Sequence, residues 1–390
     1  MRVMISCGEP SGDVYAADLA REILAREPGA QVTGFGGPRL RAAGAHLVAD
    51  FHGLSVTGLS EAVSILPRAF RTIEHLVAEA KARRPDVFVA IDFPDFNFRL
   101  MARLKALGIP VVYYISPQLW AWRAGRMKTM QRLVDRVLVI FPFEEQLYRA
   151  AGVDVRFVGH PMVDLARPSQ PREAFLRAHG LDPTAPVVAL LPGSRRNELE
   201  RILPDMAAAV PLIRQQVPGV QFVVACAPGL DDAQFAGFGA GAPGAPVLVR
   251  SAADDVLAAA DVVVVASGTA TLQTALHEKP MVVVYRVSRL TYLAKPLALV
   301  DMYAMPNLIA GRRIVPELIQ GDFTPARVAA ETARYFREPG HYGATRDLLA
   351  RVRMQLGAPG ASGRAAEAVL EVARRPARQG GQRASARVQS

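Results

Sequence analysis

Cysteine is scarce in this chain, whose 390 residues include only Cys7 and Cys226. Two cysteines exclude a disulfide-rich secreted domain and suggest a reducing compartment. Long apolar runs are lacking too, since no segment approaches the ~18 consecutive apolar residues of a membrane-spanning helix. The N-terminus has Glu9, Pro10 and Asp13 where a signal peptide has an apolar stretch of roughly 7–15 residues. We therefore expect a cytoplasmic protein.

The charge of the chain is mildly positive, and much of the excess lies at one end. Lys and Arg total 46 against 36 Asp and Glu, which gives a net charge of +10. Five arginines lie in 373–390, which is rich in Gly, Gln and Ser and predicts a disordered basic tail. The remaining charge suits binding of phosphate or of an anionic membrane surface. Because no nucleic-acid motif accompanies it, we expect no nucleic-acid partner.

Short runs of β-branched residues, each followed by a helix-like segment, recur along the chain. Such near-continuous runs are typical of strands buried on both faces, and their alternation with helices predicts parallel sheets. The runs lie at 3–6, 31–35, 86–91, 111–116, 136–141, 187–191, 221–226, 247–251, 261–266 and 281–285. Proline-rich segments at 166–175 and 181–186 separate the first half of the runs from the second. The sequence thus predicts an α/β fold with two Rossmann-like, doubly wound domains that face a cleft.

This pattern divides the chain into four parts. The N-terminal domain is predicted over 1–165 and the C-terminal domain over 166–345. Helices at 346–372 either pack back onto the N-terminal domain or are exchanged with a second subunit, in which case the protein is a homodimer. The tail at 373–390 follows. Since parallel sheets bind ligands outside the carboxyl ends of their strands, the residues just after each strand are the candidate site residues.

The first strand leads into the loop CGEPSGD and then into an amphipathic helix. Ser11 or Asp13 could cap that helix, while Gly8 and Gly12 let the backbone approach a ligand closely. The loop matches neither a Walker loop nor a GxGxxG fingerprint. It is therefore either an anion or sugar site at a helix N-terminus or an ordinary strand-to-helix turn.

The third run ends in the segment AIDFPDFNFRL. Asp92 falls at the carboxyl end of the strand, where a poorly solvated carboxylate suits a general base that deprotonates a hydroxyl. Alternatively, Asp92 caps the next helix. Asp92 and Asp95 could bind a metal, but no Asp-x-Asp signature or His/Cys cluster accompanies them, and we expect no metal. Trp120 and Trp122, after the next strand, either pack in the core or line a binding cleft.

Two turns of the second half resemble each other. Arg195 follows the Pro-Gly-Ser turn of ALLPGSRRNEL, where it could neutralise phosphate beside backbone N–H groups. In DVVVVASGTATLQ, Ser267, Gly268 and Thr269 open a helix with free N–H groups. Two anion-binding turns at neighbouring strand ends favour a diphosphate ligand. Asn307, further along, is either a ligand contact or an Asx-turn residue.

The segment 53–77 has apolar residues at helical spacing, with Val63, Leu66, Phe70 and Ile73 along one stripe. Such a stripe usually packs in the core. With arginines beside it, the stripe would also suit a membrane interface or a groove for lipid tails.

Taken together, the motifs resemble those of one family. GEPSGD, IDFPDFN, SPQLWAWR, LPGSR, ASGTATL and PNLIAGR occur in the order seen in lipid-A-disaccharide synthases, over roughly residues 3–320 and more weakly to about 372. The resemblance implies the GT-B architecture. It also implies condensation of UDP-2,3-diacylglucosamine with 2,3-diacylglucosamine 1-phosphate to a β(1→6) disaccharide and UDP. That reaction takes place at the cytoplasmic face of the inner membrane of Gram-negative bacteria and needs no metal or organic cofactor.

The resemblance also assigns roles to individual residues. Asp92 would be the base that activates the acceptor hydroxyl, and Arg195 would stabilise the charge of the departing diphosphate. The apolar stripe would contact the membrane or the acyl chains of the substrates. The other residues that the resemblance places at the substrates are Gly8, Ser11, Gly12, Asp13, Ser267, Gly268, Thr269, Gln273 and Asn307.

Gln273 departs from the family pattern, in which many members have glutamate after SGTAxL. In GT-B enzymes an acidic residue there commonly binds the ribose hydroxyls of UDP. Glutamine still accepts one hydrogen bond through its carbonyl but lacks the charge. We therefore expect weaker nucleotide affinity and an unchanged reaction.

Two alternatives stay open on the sequence. One is another GT-B enzyme that uses a UDP-sugar, such as a peptidoglycan GlcNAc transferase or a UDP-GlcNAc 2-epimerase. The order of IDFPDFN, SPQLWAWR and PNLIAGR argues against it. The other alternative is a non-catalytic protein that binds a nucleotide sugar without turnover.

Overall fold

The computed structural model describes residues 1–52, 59–117, 124–239, 244–286 and 302–375. The predictions for Trp120, Trp122 and the tail beyond residue 375 lie outside these ranges, as do residues 53–58 of the apolar segment 53–77. For Val63 only the backbone is described. None of the helices within the described ranges is both long enough and apolar enough to cross a bilayer.

The N-terminal half forms a seven-stranded parallel sheet. Its strands are β1 (Arg2–Cys7), β2 (Gln31–Gly36), β3 (His46–Asp50), β4 (Val87–Ile91), β5 (Val111–Tyr114), β6 (Arg136–Val139) and β7 (Val155–Phe157). The helices of this half are α1 (Pro10–Arg26), α2 (Pro38–Ala42), α3 (Leu59–Arg83), α4 (Pro94–Ala106), α5 (Met127–Leu133), α6 (Pro142–Ala150) and α7 (Met162–Leu165). The strand order is β3-β2-β1-β4-β5-β6-β7, so the order reverses between β1 and β4.

The C-terminal half forms a six-stranded parallel sheet. Its strands are β8 (Val187–Leu191), β9 (Gln221–Cys226), β10 (Val247–Arg250), β11 (Val262–Ala266), β12 (Met281–Tyr285) and β13 (Glu317–Ile319). The helices that follow the linker are α8 (Arg172–Ala178), α9 (Arg196–Gln216), α10 (Ala253–Ala259), α11 (Thr269–Leu276), α12 (Met305–Ala310), α13 (Pro325–Arg337), α14 (Pro339–Gln355) and α15 (Ala361–Ala373). The strand order, β10-β9-β8-β11-β12-β13, reverses between β8 and β11.

All ten strands predicted from β-branched runs are confirmed, and the two sheets are doubly wound as expected. The central strands β4 and β11 are buried along their whole length, which explains their unbroken apolar sequences. Three strands were missed: β3, β7 and β13. Each lies at a sheet edge, where one side lacks a neighbouring strand and a polar, partly exposed sequence is tolerated.

The chain crosses between the sheets twice. On the first crossing, Ser169 is fixed to α10, because its backbone N–H and its hydroxyl donate to the two carboxylate oxygens of Asp255 at 2.5 and 2.6 Å. On the return, α14 packs against α11 and α13, and α15 packs against α1 of the same chain. Glu371 of α15 pairs with Arg136 and Arg156 of the first sheet. The expected boundary after residue 345 falls inside α14, so the second crossing comes later, between α14 and α15.

Candidate active site

The carboxyl end of β4 is held in an unusual backbone conformation. Asp92 and Phe93 have φ values of 44° and 48°, a left-handed region that side chains other than glycine rarely adopt. The carbonyl of Asp92 accepts hydrogen bonds from the Asn97 side chain at 2.7 Å and from the Tyr113 hydroxyl at 2.8 Å. Each such residue costs about 1–3 kcal/mol and persists only where its surroundings fix it. Strain fixed in this way is a frequent property of functional sites.

Asn97 is the residue that fixes this turn, and the sequence analysis did not single it out. It is fully buried on α4, and its side-chain oxygen accepts a hydrogen bond from the Ser6 hydroxyl at 2.7 Å. Its side-chain nitrogen donates to the carbonyl of Ile91 at 3.3 Å as well as to that of Asp92. Asn97 thereby joins the ends of β1 and β4. The only signal in the sequence was its place at the end of IDFPDFN.

The pKa of the Asp92 carboxyl group suits a base that works near neutral pH. Burial, the largest cause, and the nearby Glu9 carboxylate raise the pKa of Asp92 to about 6, against a backbone hydrogen bond from Phe93 that lowers it. A base is most effective when its pKa lies close to the working pH. The alternative that Asp92 caps α4 is wrong, because the N-cap of that helix is Phe93.

The glycine-containing loop after β1 lies against this turn. A Cβ atom on Gly8 would come within 2.2 Å of the Phe93 ring, so only glycine lets the two strand ends pack together. Gly12 is buried against Cys7, where an added Cβ would lie at 3.3 Å. Ser11 is exposed beside them. The expectation that Ser11 or Asp13 caps α1 is wrong, because the helix begins at Pro10, ahead of both.

Asp13 requires a correction, since its carboxylate is used inside the protein. It is 2 % exposed, and it accepts hydrogen bonds from the backbone N–H groups of Gly37 at 2.7 Å, Arg39 at 2.9 Å and Leu40 at 3.2 Å. Asp13 therefore caps α2, whose first N–H groups lack partners within the helix. The sequence placed Asp13 at the substrates, but in the structure its carboxylate holds the start of α2 instead.

At the second sheet, β8 pairs directly with β11, so their terminal turns lie side by side as predicted. Gly193 has φ 121°, and Arg195 is the N-cap residue of α9 with a half-exposed side chain. The guanidinium of Arg195 lies 3.2 Å from the Glu198 carboxylate in the same helical turn. This turn therefore combines a helix N-terminus with an accessible cation.

The turn after β11 is more open. Gly268 has φ 145°, and a Cβ built on it would meet no atom of the described residues within 4 Å. Thr269, the first residue of the helix, is exposed. The Ser267 hydroxyl is already used, because it donates to the carbonyl of Tyr303 at 2.9 Å. An anion at this turn would therefore contact the helix N-terminus and the backbone of 267–269 rather than the Ser267 hydroxyl.

Gln273 lies one turn further along α11. Its side-chain nitrogen donates to Oδ1 of Asp254 on α10 at 2.8 Å. Nε2 of His277 lies at the same distance from that oxygen. The glutamine that replaces the expected glutamate is thus in direct contact with a carboxylate from another helix, a relation that no sequence spacing indicated.

Asn307 also requires a correction. It is fully buried, its Oδ1 accepts from the N–H groups of Ile314 at 2.7 Å and Val315 at 3.0 Å, and its Nδ2 donates to Val315 and Glu317. With its amide fully used, it holds the segment before β13 in place. The expected contact with the donor is therefore not available to this side chain.

The apolar stripe divides along α3. Leu66 and Phe70 are 40 % and 49 % exposed, and the Arg99 guanidinium lies 5.3 Å from the centre of the Phe70 ring. Ile73 is only 4 % exposed and packs in the core with Val77. The prediction that Ile73 contacts lipid is therefore wrong, because the helix turns that face toward β3 and α4.

Together, the residues at the reversal points of the two sheets could bind an anion and a hydroxyl group. Across the described ranges there is no group of three or more His, Cys, Asp or Glu side chains that could hold a metal ion. Asp92 and Gly8 lie where the strand order of the first sheet reverses, and Arg195 and Gly268 lie where that of the second reverses. Ligands of doubly wound sheets bind at these reversal points.

Comparison with solved structures places both sheets in one known architecture. The chain is similar to UDP-GlcNAc 2-epimerase from Neisseria meningitidis with a TM-score of 0.68 and 13 % identity, covering 95 % of this chain and 100 % of that one. It is also similar to MurG from Acinetobacter baumannii, with a TM-score of 0.57 and 16 % identity over 95 % and 99 % of the two chains. At such low identity these likenesses establish the fold alone, which is GT-B.

Comparison of sequences is more specific. The family model described as lipid-A-disaccharide synthetase matches residues 3–372. The lipid-A-disaccharide synthase of Myxococcus xanthus is 45 % identical over 372 residues, which cover 95 % of this chain and 97 % of that protein. The enzyme of the same name from Geobacter metallireducens is 44 % identical over 375 residues, with the same coverage. The chain therefore belongs to the lipid-A-disaccharide synthase family.

Proposed function

We propose that the protein is an inverting hexosyltransferase that condenses UDP-2,3-diacylglucosamine with 2,3-diacylglucosamine 1-phosphate and releases UDP. One observation supports this most. Asp92, a carboxyl group whose pKa lies near neutral pH, is at the reversal point of the first sheet, and two candidate anion-binding turns are at the reversal point of the second. A transfer from a nucleoside diphosphate to a hydroxyl needs one base and one site that stabilises the leaving diphosphate.

The N-terminal sheet supplies the base. A β-linked product from an α-linked donor requires inversion, so the acceptor 6-hydroxyl attacks the anomeric carbon from the side opposite UDP. The new C–O bond forms as the bond to the diphosphate breaks, and the hydroxyl proton passes to the Asp92 carboxylate. Because its pKa is about 6, Asp92 is ionised at neutral pH and is a stronger base than an ordinary aspartate.

The C-terminal sheet stabilises the leaving group. Negative charge grows on the diphosphate as the glycosidic bond breaks. The Arg195 guanidinium and the N-termini of α9 and α11 place positive charge at that point, where Gly268 leaves the space open. These groups supply the charge that a divalent cation supplies in other transferases, and the proposal includes no metal or organic cofactor.

The domain organisation follows from the two crossings. We assign 1–165 together with α15 to the acceptor domain, and 166 to the end of α14 to the UDP-sugar domain. The segment 157–161 and the segment 356–360 between α14 and α15 would then act together as the hinge, because the backbone N–H of His160 donates to the carbonyl of Leu356 at 2.8 Å. If α15 were exchanged with a second subunit, the α1–α15 contacts would form between the subunits of a homodimer. Light scattering on the purified protein distinguishes this dimer from a monomer.

The exposed part of α3 supports peripheral contact with the inner face of the inner membrane. Leu66 and Phe70 expose apolar surface, and Arg99 beside Phe70 suits an anionic headgroup. We expect Leu66→Glu combined with Phe70→Glu to reduce binding to phosphatidylglycerol vesicles by roughly tenfold or more. Met354→Glu is the matched control, since Met354 is 71 % exposed on α14. Equal loss in the control would argue against α3 as the membrane surface.

The reaction is tested by UDP release from purified protein in detergent, with each acylated substrate alone and with both together. Wild type and Asp92→Asn are compared, and the lipid product is identified by mass spectrometry. We expect UDP and a disaccharide only from wild type with both substrates. A folded wild type that binds UDP but forms no disaccharide would contradict the proposal and favour another UDP-sugar reaction or a non-catalytic role.

A further inference from the structure

Asp254, Gln273 and His277 form a cluster that the mechanism above does not use. Oδ1 of Asp254 receives two hydrogen bonds, from the side-chain nitrogen of Gln273 and from Nε2 of His277, each at 2.8 Å. The cluster links the first turn of α10 to α11. Its geometry fixes the position and orientation of a carboxylate that is still partly open to solvent, since the Asp254 side chain is 28 % exposed.

Two acceptor atoms of the cluster are left over. Neither Oδ2 of Asp254 nor Oε1 of Gln273 accepts a hydrogen bond from the residues that the structure describes. The two atoms belong to side chains that are hydrogen-bonded to each other through their other polar atoms. A pair of adjacent acceptors, one of them charged, matches the two neighbouring hydroxyl groups of a ribose.

The location of the cluster suits a nucleotide whose diphosphate lies at Gly268. Gln273 is four residues after Thr269, which places it about 6 Å along the axis of α11 from the helix N-terminus. Asp254 lies in the first turn of α10 at the same carboxyl edge of the sheet, just after β10 ends. The ribose of a nucleoside diphosphate is separated from its phosphates by a distance of this order, so one nucleotide reaches both places.

We propose that Asp254, held by Gln273 and His277, binds the ribose hydroxyl groups of the donor nucleotide and makes the site selective for a ribonucleoside diphosphate. This inference rests on the function proposed above. The carboxylate that recognises the ribose then comes from α10, and Gln273 orients it and adds a neutral acceptor. The loss of nucleotide affinity expected from glutamine at position 273 does not arise, because the negative charge is supplied by Asp254.

The test measures selectivity for the ribose rather than affinity alone. Binding of UDP and of 2′,3′-dideoxy-UDP is measured by calorimetry for wild type and for Asp254→Asn. We expect wild type to prefer UDP by roughly 10- to 100-fold, the range of a hydrogen bond to a charged group. Asp254→Asn lowers that ratio toward one, by weakening UDP binding and leaving dideoxy-UDP binding nearly unchanged. A purely structural role would weaken both ligands equally and keep the wild-type ratio, which would overturn the proposal.

Two further variants keep the test decisive. Asp232→Asn makes the same charge change at an exposed carboxylate of the same half and should keep the wild-type ratio. Gln273→Met removes the neutral acceptor and should lower the ratio by a smaller factor, even if Asp254→Asn folds poorly. An unchanged ratio in Gln273→Met would also count against the proposal.

Failure of this inference is distinguishable from failure of the proposed function. Disaccharide formation by wild type, together with an Asp254→Asn ratio equal to that of wild type, rejects only the role of Asp254. Selective UDP binding without disaccharide formation rejects only the proposed reaction.

Discussion

The two sheets share the same order over six strands, with a seventh strand added to the first, yet their reversal points are built in different ways. At the first sheet, Asp92 and Phe93 adopt left-handed backbone conformations, and burial raises the pKa of the Asp92 carboxyl. At the reversal point of the second sheet, the positive φ values are carried by Gly193 and Gly268, and the cation, Arg195, remains accessible. One reversal point uses strain and desolvation, and the other uses glycine and helix N-termini.

This difference fits the two kinds of chemistry in the proposed reaction. A base must be less solvated than an ordinary carboxylate, which requires neighbours such as Asn97 and Tyr113 that hold its backbone. A diphosphate site must admit a large, highly charged group, which requires open space and N–H groups that point into it. The same topology thus supports a rigid acceptor side and an open donor side.

The largest expected effect is that of Asp92→Asn. We expect kcat to fall by about 10²–10⁴-fold, the usual contribution of a general base, with UDP affinity unchanged. Asp95→Asn is the control, because Asp95 lies in the same turn, is exposed and pairs with Arg126. Equal kcat losses in the two variants, measured by UDP release, would mean that Asp92 is not the base.

The same variant tests the strain and desolvation of that edge. Since burial raises the folded-state pKa of Asp92 above its ordinary value of 3.8, the ionised carboxylate destabilises the fold at neutral pH. Asp92→Asn should therefore raise the free energy of unfolding at pH 7 by up to about 3 kcal/mol. The gain should shrink as the pH falls through about 6 and vanish below roughly 4. Denaturant unfolding at two pH values measures it, and a pH-independent difference would contradict the pKa argument.

Arg195→Ala tests the donor side. Loss of a hydrogen bond to a charged group should lower kcat/KM for the UDP-sugar by roughly 10- to 100-fold. Arg196→Ala is the matched control, because Arg196 is more exposed and pairs with Glu200 in the next helical turn. We expect its kcat/KM to stay within about threefold of wild type. Similar losses in both variants would mean that general positive charge, rather than the position of Arg195, stabilises the diphosphate.

Two glycine substitutions, one at each sheet, should change different kinetic constants. Gly268→Ala meets no atom of the described residues but must adopt φ 145°, so it should weaken donor binding by about tenfold through a cost of about 1–2 kcal/mol. Gly8→Ala would instead push against the Phe93 ring and should lower kcat. Gly321→Ala is the control, since its φ is not in the left-handed region and its Cβ meets nothing. Steady-state kinetics with both substrates varied would show whether the KM and kcat effects separate in this way.

The smallest expected effect is that of Glu9→Gln. The Glu9 carboxylate raises the pKa of Asp92, so its removal should move the acidic limb of the kcat/KM profile from about pH 6 to lower pH, by about 0.5 unit. Glu22→Gln is the control on α1, the helix that Glu9 precedes, where Glu22 is partly exposed and pairs with Arg26. A limb that stays in place would mean that burial alone sets the pKa of Asp92.

The sequence predicted the positions of the site residues better than their contacts. Strand-end placement correctly located Asp92 and the two adjacent turns of the second sheet, because long β-branched runs define where parallel strands end. It could not assign Asp13, whose carboxylate bonds to backbone groups 24 to 27 residues away. Motif order alone does not say which polar side chains are used up inside the protein.

Apolar periodicity met a similar limit on α3. The spacing placed Leu66, Phe70 and Ile73 on one stripe, but a helix curves across its neighbours. As a result, Ile73 packs in the core and Phe70 remains half-exposed. The stripe identified a helix face, whereas the packing of β3 and α4 against it decided how much of that face is covered.

By itself, the sequence determined the two parallel sheets, their order of elements and the family, because these depend on local runs and on motifs in a fixed order. Only the tertiary structure decided the conformation of Asp92, the structural use of Asp13 and Asn307, and the contact of Gln273 with Asp254. Each of these depends on hydrogen bonds between segments far apart in the chain, and on burial that changes the energy of a charge. Neither is encoded in the spacing of residues along one strand or helix.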